Sequence, residues 1–93
     1  MSYRITDYLS HFRVQDMIDP MFTIVNAQQS IDGPGRALGA LVMALRVECQ
    51  ALNLDLSEVL QYAGNAIGHM NELETEQLKA VAEYVKNEIG GGS

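Results

Sequence analysis

The sequence predicts an all-α fold, a compact bundle of about five short helices around a central apolar helix at residues 35–53. Three observations carry this. Residues 37–52 bear apolar side chains around most of a helix. No segment shows strong apolar/polar alternation or a hairpin dipeptide of the Asn-Gly kind, so sheet is not indicated. Turn-forming and capping residues divide the rest into pieces of helical length.

The first two helices have the least regular signals. Thr6 or Asp7 offers a cap for a short helix with Ile5, Leu9 and Phe12 as its stripe. Val14, Met17 and Ile18 then fall on other faces, so a bend near Arg13 to Asp16 is expected. Asp19-Pro20 reads as a helix start, carboxylate at the N-cap and proline at the first helical position. It would lead Met21, Ile24, Val25 and Ile31 inward. The β-branched run Thr23-Ile24-Val25 leaves a short strand open as an alternative.

Asp32-Gly33-Pro34-Gly35 is the clearest break, with turn residues and a helix-initiating proline ahead of the apolar helix. At about 100° per residue, Leu38, Val42, Leu45, Cys49 and Leu52 form a stripe of large side chains there. Ala37, Ala40, Ala44, Val47 and Ala51 form a stripe of mostly small ones. Gly39, Met43, Arg46 and Gln50 are left as the wet strip. A helix apolar on most sides is a core helix or a membrane span. The uncharged run Ala37–Leu45 falls short of the ~20 residues a bilayer requires, so a buried helix of a soluble protein is expected.

Asn53 to Asp55 ends that helix, and Asp55-Leu56-Ser57-Glu58 has the D-x-x-E spacing of a capping box. In the fourth helix Leu56, Val59, Leu60, Ala63, Ala66, Ile67 and Met70 share one face. Asn71 and Thr75 offer capping oxygens for the fifth, whose Leu78, Val81, Ala82, Val85 and Ile89 repeat at helical spacing. Gly90 stops it. Residues 1–90 read as one helical domain and residues 91–93 as a flexible linker-like tail.

Twelve acidic residues against six basic ones give a net charge of -6. Such a balance disfavours phosphate backbones and anionic membranes as partners. Acidic residues dominate from residue 51 onward, where Asp55 and six glutamates face only Lys79 and Lys86. Cys49 is the sole cysteine, which excludes an internal disulfide and suits a reducing compartment. No signal-peptide pattern follows the first residues, so cytoplasmic residence is the expectation.

Catalytic chemistry finds no constellation. A nucleophile needs an adjacent base and an orienting group, yet His11 and His69 belong to different helices and Cys49 points to the core. Two histidines and one cysteine, scattered far apart, do not make a structural zinc site. Gly33-Pro34-Gly35 lacks the lysine and the preceding strand of a phosphate-binding loop. No metal, cofactor or enzymatic activity is expected.

The candidate binding residues lie on the fourth helix. Glu58, Tyr62, Asn65 and His69 follow one another at spacings of four, three and four, a row of hydrogen-bonding groups with tyrosine and histidine as anchors. Gly64 and Gly68, one turn apart, each cost up to ~1 kcal/mol relative to alanine inside a helix. They point to close approach, either by a partner or by packing within the chain. Self-association is expected through the small stripe Ala37, Ala40, Ala44, Val47 and Ala51, as a homodimer or higher oligomer.

From Leu56-Ser57-Glu58-Val59-Leu60 through Tyr62-Ala63-Gly64-Asn65 the chain resembles the first two helices of helix-turn-helix repressors, with Gly64 in the turn. The resemblance implies a recognition helix presenting Asn65, His69, Asn71 and Glu72, with no arginine or lysine to hold it on phosphates. The apolar stripe continues unbroken across Gly64 and favours one straight helix, so nucleic acid is not the expected partner.

In size and charge the chain also resembles the host-takeover and anti-defence inhibitors of phages and mobile elements. That resemblance implies a small acidic binding protein acting stoichiometrically on a protein partner. Its alternatives are an oligomeric shell sequestering a nucleotide-like ligand near Arg36, Arg46 or His69, a helix-turn-helix-like regulator, and a structural assembly subunit.

Overall fold

The computed structural model describes residues 2–90. They form α1 (Ser2–Leu9), α2 (Val14–Gln29), α3 (Pro34–Ala51), α4 (Leu56–Gly68) and α5 (Glu72–Val85), and α5 runs into a π-helical turn, Lys86–Gly90. The chain is an all-α bundle, with no strand among the described residues.

The break after α1 falls at residues 10–13, just ahead of the expected bend. Thr6 and Asp7 lie inside α1 and not at its start. α2 then runs unbroken through Pro20, so Asp19-Pro20 is not a helix start and Thr23-Ile24-Val25 is not a strand. Proline removes one helical hydrogen bond at considerable cost. Burial of Val14, Ile18 and Val25 along one line of α2 offsets that cost, an instance of packing overriding local preference.

The core sits between α2 and α5. Val14, Ile18 and Val81 form its centre, with Met21, Phe22, Ala66, Met70 and Leu78 packed around them. Phe22 meets Tyr84 edge-on, with ring centres 5.2 Å apart. The Tyr84 hydroxyl donates to Asn26 Oδ1 and accepts from Gln29 Nε2 at 2.8 Å. Aromatic and polar contacts thus fix the two helices in register.

α3 begins as expected, with Gly33 in the left-handed region (φ 92°) and Pro34 in the first turn. It is not the covered central helix. Only Ala37 and Cys49 are buried, near its two ends, while Leu38 remains 60% exposed and Val42 55%. The large stripe therefore splits: Cys49 is buried and Leu45 half-buried, but Leu38, Val42 and Leu52 face outward. The physical reason is the choice of contact line. α3 lies on the rest of the chain through Ala37, Leu45 and Cys49, and Gln28 Nε2 donates to the Ala37 carbonyl at 3.0 Å. A line that starts on a small buried alanine lets the backbones approach and turns the bulky neighbours away.

Asn53, in the left-handed region (φ 59°), ends α3, and the chain turns by 114° into α4. Asp55 caps α4 by accepting from the Ser57 N–H at 2.9 Å. The reciprocal half of the expected box is absent, since Glu58 accepts instead from the Tyr62 hydroxyl. α4 is continuous across Gly64, so the helix-turn-helix geometry does not form. Asn71 caps α5 in a complete capping box with Glu74. No single described helix is long and apolar enough to cross a membrane.

Candidate functional site

Helix α4 has two unlike flanks, and the candidate residues divide between them. One flank turns toward the junction of α1 and α2. There Tyr62, Asn65 and His69 line a cleft of about 190 Å³ together with His11, Arg13 and Glu74. Tyr62 is half-buried, and its hydroxyl donates to Glu58 Oε1 at 2.7 Å. That bond, then desolvation, then the Glu58 charge, pushes the phenol above its ordinary pKa, because ionisation would put two negative charges side by side. Glu58 also lines a second cleft of about 330 Å³ with Thr6, Asn53 and Asp55. The row Glu58, Tyr62, Asn65, His69 is thus partly engaged by its own chain.

The other flank is open. Leu60, Gly64 and Ile67 follow at spacings of four and three, and Gly68 lies one turn beyond Gly64. Leu60 is 55% exposed and Ile67 49%, although both belong to the face expected to be buried. A Cβ built on Gly64 or Gly68 would meet no atom within 4 Å. Packing inside the chain therefore does not account for Gly64, while Gly68 is the last residue of α4. The six candidate residues do not form one surface: Gly64 and Gly68 border Leu60 and Ile67, not Tyr62 and His69.

The expected self-association stripe on α3 is similarly revised. Ala37 is 1% exposed and belongs to the interior, while Ala40, Ala44, Val47 and Ala51 are exposed. Large side chains join them on the outside.

Glu74, between the capping candidates Asn71 and Thr75, has no role predicted from the sequence. It is 2% exposed. Its Oε1 accepts from the Asn71 N–H at 3.0 Å, and its Oε2 from the Gln15 N–H at 3.0 Å. Arg13 approaches to 3.7 Å. One carboxylate thereby satisfies backbone donors at the starts of both α5 and α2. The Asn71 and Gln15 bonds hold its pKa below the ordinary glutamate value against desolvation, with Arg13 adding to the effect. The spacing Asn71-x-x-Glu74 signals the capping box; the bond to Gln15, 59 positions away, has no sequence signal.

The cleft at Arg13 offers hydrogen-bonding groups and one cation, but its volume lies below the ~300–1,000 Å³ of ordinary small-ligand sites. Arg46 lines a different cleft, with Cys49, Gln50, Leu54 and Leu56. Arg46 and His69 thus line separate clefts. Among the described residues no three His, Cys, Asp or Glu side chains gather as a metal-binding group. Comparison with known proteins finds no matching family model, no similar curated protein and no similar solved structure.

Proposed function

We propose that this chain is a small acidic binding protein, without catalytic activity, that acts by docking stoichiometrically onto a protein partner. The observation that carries the reading is the open flank of α4. Gly64 costs about 1 kcal/mol inside a helix and meets no neighbour within the chain, and it stands between two half-exposed large apolar side chains. A partner backbone approaching at Gly64 and Gly68 would cover Leu60 and Ile67 together. Tyr62, whose hydroxyl is held by Glu58, and His69 line the cleft on the other flank and stand outside this contact. The single cysteine, Cys49, is a buried free thiol, which fits work in a reducing compartment such as the cytoplasm.

The test compares tagged wild-type chain with Ile67→Glu and Gly68→Leu in capture from cells that produce the protein. A protein retained in fixed ratio by wild type and lost from both variants, at unchanged helicity, is the expected result. Equal capture by all three removes α4 as the docking helix. A small molecule released on denaturation, with no retained protein, favours ligand sequestration instead.

A further inference from the structure

The second unaccounted surface is the outer side of α3. It carries Leu38, Leu41, Val42, Met43 and Val47, each at least 38% exposed, on a helix of 18 residues. Leu38 and Leu41 also form one wall of a groove of about 430 Å³ whose other walls are Met21 and Ile24 of α2 and Val85 and Ile89 at the end of the chain's last helix. The lining is almost wholly apolar.

The whole surface shows how much is left uncovered. A compact monomer of this mass exposes about 5,300 Å² by the size scaling of folded proteins, whereas this chain exposes 6783 Å². The excess is on the order of 1,000 Å² or more, set against the ~800 Å² that each partner gives to a standard interface. The radius of gyration, 14.2 Å, likewise exceeds the ~12 Å of a compact chain of this length. One chain therefore leaves uncovered about the area that one side of a stable dimer buries.

Charge decides where a second copy can sit. The chain carries -6 overall, so two copies repel through most of their surfaces. α3 is the exception among the five α-helices: Arg36 and Arg46 outweigh Glu48, while α2 and α5 are acidic. Self-contact along α3 avoids the acidic helices α2, α4 and α5.

We propose that a second copy of this chain covers the outer face of α3, the two α3 helices pairing antiparallel about a two-fold axis. In such a pair each copy supplies both the groove wall, Leu38 and Leu41, and the side chains that fill the partner's groove, so one surface satisfies itself. Full-length pairing of two identical helices puts the axis at their midpoint, between Val42 and Met43. Gly39, Ala40 and Ala44 are small enough for close approach. The inference is independent of the α4 docking surface, and either can fail without the other.

The test uses the whole chain in sedimentation equilibrium, with melting followed as a function of concentration. The expected mass is twice that of one chain at about 100 µM, well above the dissociation constant of a ~micromolar pair, and the melting temperature should rise with concentration. Val42→Glu sets two carboxylates face to face at the axis and should halve the mass while helicity is kept. Leu73→Glu, an exposed position on α5, should leave the mass doubled. A single-chain mass throughout overturns the proposal, and so does a doubled mass in Val42→Glu or an assembly of three or more chains. Should Val42→Glu fail to fold, hydrogen exchange of wild type decides: slower exchange in α3 on raising concentration supports the pairing, and concentration-independent exchange overturns it.

Discussion

Glu74 is the residue on which the most backbone depends. Its carboxylate accepts from the first turns of α2 and α5, so protonation removes an acceptor at both helix starts. Its pKa is depressed in the folded chain. The stabilisation is therefore complete above the ordinary glutamate range and is lost as pH falls through the lower folded value. Melting temperature should decline between about pH 6 and about pH 3, across the carboxylate range, and Glu74→Gln should both lower it at neutral pH and flatten that decline. Parallel curves for wild type and variant would remove this role. Gly64 gives the opposite prediction. With open space around it, Gly64→Ala should stabilise the free chain by about 1 kcal/mol, or about 4–8 °C in melting temperature. If melting drops instead, α4 has a close neighbour within the chain and the docking argument fails. The sequence showed that these glycines need a reason, because their cost is local; which neighbour supplies it is a non-local fact.

Helix boundaries divide into those set locally and those set by packing. The starts of α3, α4 and α5 follow Gly33-Pro34, Asp55 and Asn71, and each signal lies within a few residues of its effect. α2 is the contrary case, running through Pro20 because the residues on either side of it are held in the core. Pro20→Ala restores a donor for the Asp16 carbonyl. It should stabilise the chain by about 2 kcal/mol, the helical gain less the unfolded-state entropy that proline removes. Thermal or urea melting checks this. A neutral or negative result would mean that Pro20 begins a separate helix, as Asp19-Pro20 suggests when read alone. The amphipathic face of α4 was legible as a pattern, yet Leu60 and Ile67 lie outside the chain's own core, because periodicity defines a face without naming what covers it.

At the scale of the molecule, a small core at α2 and α5 supports a broad, thin body of 40 × 33 × 18 Å with much of α3 exposed at the periphery. The proposed association along α3 would be apolar in origin and opposed by a net charge of -6 on each copy. Raising ionic strength from about 0.02 to about 0.5 M shortens the Debye length and screens that repulsion. Self-association measured by sedimentation should therefore strengthen with salt. Weakening would assign it to ion pairs and not to the α3 face.

By itself the sequence determined that the chain is helical, where three of its helices begin, and that residues 37–52 are apolar around most of a helix, since propensity, caps and periodicity all act within a few residues. The tertiary structure decided which helices share the core, that α3 meets them along Ala37 to Cys49, that α4 turns Tyr62 inward and Gly64 outward, and that Glu74 serves two helix starts. Each of these depends on contacts between residues distant in the chain. Their energy follows from which surfaces meet, and a one-dimensional pattern of apolar spacing is compatible with several such meetings.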